Sequence, residues 1–115
     1  ATAGYLVLRN AKGEPTANMF YTAYTKLGAT DVAKRPVTFS FNGGPGASSV
    51  WLHLGGLGPK RVNMGPRGEA VPPPYSWADN EWSWLDETDL VFVDPMSTGF
   101  TRPAAGKDAK PFHGF

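Results

Sequence analysis

The segment Asn42-Gly43-Gly44-Pro45-Gly46 is the part of this sequence best suited to chemistry. Its glycines leave backbone N–H groups unobstructed by side chains. Glycine also accepts positive φ, so successive amides can turn the same way and converge on an anion. Phosphate is one such anion, but neither G-x-x-x-x-G-K-[ST] nor G-x-G-x-x-G occurs here, which argues against nucleotide binding. The other is the oxyanion that develops during acyl transfer, which backbone donors stabilise. A Gly-Gly pair without further context marks only a tight turn, so its surroundings decide between these readings.

Acyl transfer also needs a nucleophile and a base. Ser48 and Ser49 follow the loop, His53 lies four residues beyond Ser49, and Asp94 closes a later apolar run. On a helix, Ser49 and His53 would share a face. No carboxylate is placed to orient the imidazole, so a local Ser-His-Asp triad is not expected. A G-x-S-x-G elbow is absent: Gly46-Ala47-Ser48-Ser49-Val50 lacks the closing glycine and Met96-Ser97-Thr98-Gly99 the opening one. His113 reads as a solvated side chain. Asp86, Glu87 and Asp89 cluster, but without a neighbouring His or EF-hand spacing, and no metal or cofactor is expected. Tyr75, Trp77, Trp82 and Trp84 could form a sugar or peptide platform. The structural alternative, that they cover the core under a Pro-rich stretch, is preferred.

The elements that must position these residues are constrained by composition. A chain of 115 residues allows one compact domain. Eleven Lys and Arg against ten Asp and Glu give a net charge of +1, which argues against a nucleic-acid or membrane-surface partner. The 41% hydrophobic content supports a core, while 14 Gly and 11 Pro exclude a helical bundle. There is no cysteine, hence no disulfide framework or thiolate site. No run approaches the ~18 apolar residues of a membrane helix. Ala1 to Asn10 lack the pattern of a secretory leader. The chain opens directly into a strand-like run and stops at Phe112-His113-Gly114-Phe115 without a closing element, as a piece of a longer chain would.

Alternation predicts a strand over Gly4–Arg9, with Tyr5, Val7 and Arg9 on one face and Leu6 and Leu8 on the other. After an Asn10–Gly13 turn, Asn18–Lys26 reads as the return strand of a hairpin. Leu27–Asp31 is a loop, Pro36–Phe41 a third strand, and Ser48–Leu57 a helical stretch. Pro59–Tyr75 is rich in Pro and Gly, with a short strand possible at Arg61–Met64. Asp89–Asp94 is apolar on both faces, as a strand in the middle of a sheet should be. The chain from Pro95 onward reads as loop. These elements suggest an α/β sheet whose ligand site lies beyond the carboxyl ends of its strands, where the segments after Phe41 and Asp94 fall. In α/β-hydrolases one oxyanion donor comes from a Gly-rich loop after the third strand, and Asn42–Gly46 has that position.

Asn42-Gly43-Gly44-Pro45-Gly46-Ala47-Ser48-Ser49 followed by Leu57-Gly58-Pro59 resembles the N-G-G-P-G-x-S-S…G-P signature of the serine carboxypeptidases, peptidase family S10. Pro74-Tyr75-Ser76-Trp77, Asp89–Pro95 and Gly99-Phe100-Thr101 are similar to that family's N-P-Y-S-W, L-F-L-D-Q-P and G-F-S segments, in the same order. The opening hairpin and Ser49-Val50-Trp51-Leu52-His53-Leu54 resemble the bacterial branch. The resemblance runs from the first strand to about Arg102. It implies the N-terminal part of an α/β-hydrolase fold, with residues 1–115 forming a portion of one domain that stops before the nucleophile elbow. It further implies hydrolysis of C-terminal peptide bonds by a Ser-His-Asp acyl-enzyme mechanism, whose three triad residues lie outside this chain. The Gly44 amide would be one oxyanion-hole donor. Asn42 and the Gly43 amide would hold the free carboxylate of a peptide substrate, and Pro95–Phe100 would line the reacting pocket or simply form a rigid loop. The implied partners are that substrate and the remaining part of the domain, and the implied location is secreted or periplasmic.

Three departures bear on specificity. Ala47 stands where the family has the cysteine of G-C-S-S, Gly56 where eukaryotic members have the glutamate of E-x-G-P, and the glutamine of D-Q-P is missing between Asp94 and Pro95. Losing the glutamate removes one partner of the substrate carboxylate. An esterase or acyltransferase of the same fold, or a non-catalytic interaction module, are the alternatives.

Overall fold

The structure, a computed structural model, describes residues 1–113; Gly114 and Phe115, the end of the expected 1–115 span, lie outside the described residues. The first two strands, β1 (Thr2–Arg9) and β2 (Pro15–Tyr24), form the expected antiparallel hairpin. Its turn is built by Asn10, whose Oδ1 accepts from the backbone N–H groups of Lys12 at 2.9 Å and Glu14 at 3.0 Å. That closure lets pairing resume at Pro15, three residues earlier than hydrophobic patterning predicts, and the strand ends at Tyr24 rather than Lys26.

The third strand, β3 (Val37–Ser40), pairs in parallel with β6 (Asp89–Val93), and β6 pairs antiparallel with β2. The sheet order is β1-β2-β6-β3, so the Asp89 strand is central, as its two-sided apolar pattern requires. Leu90 and Phe92 point to one face and are buried; Ala17, also buried, lies further along β2 on the other face, opposite Pro103. The link from β3 to β6 crosses the face of Leu90 and Phe92. It begins with the Gly-rich loop and enters a single turn of helix, α1 (Val50–Leu52), which widens into a π-type turn at His53–Leu57. The helical stretch is therefore real but poorly regular. Gly55 and Gly56 weaken it, and Gly58 packs so closely on the His53 carbonyl that no Cβ would fit there.

Two short strands follow, β4 (Lys60–Val62) and β5 (Trp77–Asp79), paired antiparallel in a separate two-stranded sheet. The expected strand at Arg61–Met64 thus shifts by a residue or two, and its partner β5 carries no pattern that predicts it. After β6 the chain is not all loop. It makes a tight excursion over Pro95–Thr101 and rejoins the line of β6 as β7 (Arg102–Pro103), pairing with Ala17 and Asn18 of β2. Thr101, fully buried, secures this return by accepting from the Phe20 N–H at 2.8 Å.

An ion pair fixes the parallel strands at their start. Arg35 Nε donates to Asp89 Oδ1 at 2.9 Å and Nη2 to the Leu85 carbonyl at 2.7 Å, with both charged side chains only 13% and 14% exposed. Tyr75, Trp77, Trp82 and Trp84 are all exposed among the described residues, so the expectation that they cover the core is corrected.

Candidate functional site

Parallel pairing of β3 with β6 puts both carboxyl ends at one edge of the sheet, and the two connecting segments face each other there. Between them lies a groove of about 730 Å³, walled on one side by Asn42–Ala47 and on the other by Pro95–Thr98, with Phe112 and His113 across its end. The structure thus brings together all three predicted site residues, Asn42, Gly43 and Gly44. Gly44 and Gly46 have φ of +67° and +103°, conformations that side chains resist, which is why glycine occupies both. Nothing lies within 4 Å of where a Cβ would project from Gly43 or Gly44, so the front of the loop is open. The N–H groups of Gly43 and Gly44 have no acceptor among the described residues, nor does the half-buried Asn42 side-chain amide have a partner. Three donors are therefore uncommitted on one wall of a concave site. An anion, or an oxygen gaining negative charge, is what such an arrangement accepts.

Ser48, Ser49, His53 and Asp94 gather under the loop without forming a triad. The Ser49 hydroxyl donates to the Val93 carbonyl, while its backbone N–H donates to Asp94 Oδ1 at 3.0 Å. The His53 ring stacks on Phe92 with centroids 4.6 Å apart, and its Nε2 contacts the Tyr24 hydroxyl at 2.6 Å. Burial lowers the His53 pKa, opposed in part by the Asp94 charge, and burial raises that of Tyr24. Neither group is among the described residues that line the groove.

Two members of the acidic cluster are paired: Asp89 with Arg35, and Asp86 with Lys26 at 2.8 Å, which holds the exposed Asp86 carboxyl below its ordinary range. Among the described residues no group of carboxylates and imidazoles is arranged to hold a metal. Gly56 offers only its backbone carbonyl, accepting from Asn80 Nδ2 at 2.8 Å, and among the described residues no carboxylate lines the groove.

Sequence reasoning, which has Pro95–Phe100 either lining the pocket or forming a rigid loop, misses two contacts at the groove. Ser97 sits on its wall with φ of +63°, its hydroxyl 3.2 Å from the Nε2 of the exposed His113. The signal was faint, a small polar residue two before Gly99 in a turn. Asp94 carries the residue type of a triad member. Instead its carboxylate receives two backbone amides, the second from Phe100 at 3.0 Å on Oδ2.

The serine carboxypeptidase family profile matches residues 1–111. The chain belongs to the serine carboxypeptidase family. Among curated relatives, it is 38% identical over 89 residues to a pheromone-processing carboxypeptidase KEX1 of Debaryomyces hansenii, a match covering 76% of this chain and 12% of that protein. It is 33% identical over 104 residues to the KEX1 of Saccharomyces cerevisiae, covering 86% and 13%. It is 30% identical over 108 residues to serine carboxypeptidase-like 33 of Arabidopsis thaliana, covering 92% and 20%. The crystal structure of a prohormone-processing carboxypeptidase from Saccharomyces cerevisiae superposes with a TM-score of 0.66 at 32% identity, over 87% of this chain and 20% of that one. The chain thus spans between 12% and 20% of the length of these serine carboxypeptidases. The mixed sheet, opening hairpin and Gly-rich loop after the third strand agree with the α/β-hydrolase expectation. The relatives named here are fungal and plant proteins, so they lend the expected bacterial branch no support.

Proposed function

We propose that this chain supplies the oxyanion hole and the substrate-carboxylate site of a serine-type carboxypeptidase. The observation that carries the proposal is the row of uncommitted donors, Asn42 Nδ2 and the Gly43 and Gly44 N–H groups, along one wall of the groove. Gly44 donates to the developing oxyanion, alongside an amide that follows the nucleophile. Asn42 and Gly43 bind the carboxylate of a peptide with a free C-terminus, since a carboxylate accepts readily from a side-chain amide and a bare N–H. The nucleophile, its histidine and its aspartate belong to the rest of the same domain, which is this chain's obligatory partner. The chain by itself hydrolyses nothing, because no described serine has a free histidine and carboxylate beside it.

Gly56, standing where eukaryotic members have the glutamate of E-x-G-P, favours a second reading, an esterase or acyltransferase with the same hole. One experiment separates them. In the full-length protein, Asn42→Ala removes a charge-assisted hydrogen bond worth about 1.5–3 kcal/mol. kcat/KM for peptides with a free C-terminus should fall roughly 10- to 150-fold, and less for amidated or esterified substrates. Equal losses on both would place Asn42 in turn structure only and put the esterase reading first.

A further inference from the structure

The walls of the groove belong to segments about fifty residues apart, and one buried side chain joins them. Asp94 is 7% exposed. Its Oδ1 accepts the N–H of Ser49, at the end of the Gly-rich segment, at 3.0 Å. Its Oδ2 accepts the N–H of Phe100, at the end of the opposite turn, also at 3.0 Å. The backbone N–H of Asp94 itself donates to the Phe20 carbonyl at 3.1 Å, which anchors the residue to β2. Gly99, at φ +48°, presses so closely on this carboxylate that a Cβ would overlap it. Asp94 is not among the described residues that line the groove; it lies behind the two walls, with Ser49, Gly99 and Phe100 around it. It is a rigid cross-tie, anchored to the central strand and holding both walls.

We propose that Asp94 is the positioning residue of the hole, setting the height and angle of the Gly43 and Gly44 amides relative to the Pro95–Thr98 wall. This role rests on the acyl-transfer chemistry proposed above. Oxyanion donors act through their fit to the transition state, so a misplacement of about 1 Å costs kcat rather than binding. A carboxylate is required because it presents an acceptor to each amide. An asparagine of the same shape presents one acceptor and turns an NH2 group against the other N–H.

The test uses the full-length protein and two substrates, a blocked dipeptide with a free C-terminus and the corresponding p-nitrophenyl ester. Asp94→Asn should lower kcat roughly 10- to 100-fold on whichever substrate the wild type turns over, with KM changed less than about threefold. Its near-UV circular dichroism should match that of the wild type. A wild type that cleaves only the ester sinks the carboxypeptidase reading while leaving the Asp94 role to be judged on ester turnover. An unchanged kcat, or a loss confined to KM, overturns the positioning role, and so does a wild type inactive on both substrates. Hydrogen exchange in the wild type checks the tie without any variant, should Asp94→Asn not fold. The Ser49 and Phe100 amides should exchange roughly 100-fold more slowly than those of Gly43 and Gly44. Comparable rates for the four overturn the proposal.

Discussion

Arg35→Met should destabilise the protein by about 3 kcal/mol, and the figure follows from three contacts. The guanidinium pairs with Asp89 at 2.9 Å and donates to the Leu85 carbonyl at 2.7 Å, with a longer bond of 3.3 Å to the Asp86 carbonyl. Both charged side chains are 13% and 14% exposed, so water reaches neither well. Removing one member of a buried pair costs about 3–5 kcal/mol because the other charge is left uncompensated. Residual exposure at this pair brings the expectation to the lower end. Methionine preserves most of the stem packing, which confines the loss to the polar groups. The assay is urea unfolding followed by tryptophan fluorescence in the full-length protein, with the shift in midpoint converted through the slope. Adding Asp89→Leu to the variant should restore at least about half of the loss, since no orphaned charge remains. Raising NaCl to about 0.5 M should leave the wild-type advantage nearly intact, as a buried pair is poorly screened. A single-variant loss below about 1 kcal/mol that salt abolishes would show an ordinary surface pair and refute the reasoning.

Two further outcomes are expected. Ser97→Gly should stabilise the protein by about 0.5–1 kcal/mol in the same assay, because φ of +63° is strained for serine and free for glycine; a destabilised variant would mean the hydroxyl contact with His113 outweighs the strain. Burial lowers the His53 pKa from 6.5, so the neutral ring favours the folded state above that value. Stability should fall as the pH drops from about 6.5 through the lowered folded-state value. His53→Gln should flatten that part of a pH series of melting temperatures, and superimposable wild-type and variant curves would remove His53 as the cause.

How much of this was legible in the sequence varies with the range of the forces involved. The hairpin, the central position of Asp89–Val93 and the Gly-rich loop are local matters. Alternating apolar residues, turn chemistry at Asn10 and the freedom of glycine act within a few residues, and the observed elements agree with them apart from their ends. That Gly43 and Gly44 carry bare N–H groups is legible for the same reason, while Asn42 adds a side-chain amide whose type is plain in the sequence but whose open side is not. The short strands β5 and β7 were not. Each is only two or three residues long and exists because a partner, β4 or β2, offers it a ladder.

Residue types alone say which groups could meet an anion and which could fill a core. Tertiary structure decided what those groups face. Ser49, His53 and Asp94 carry the residue types of a triad, yet packing commits the first to Val93, the second to Tyr24 and Phe92, and the third to two backbone amides. Side-chain type fixes what a group can donate or accept. Only the parallel pairing of β3 with β6, across about fifty residues of chain, fixes where it does so, because hydrogen bonds and contact forces act over a few ångströms and sequence separation says nothing about such distances.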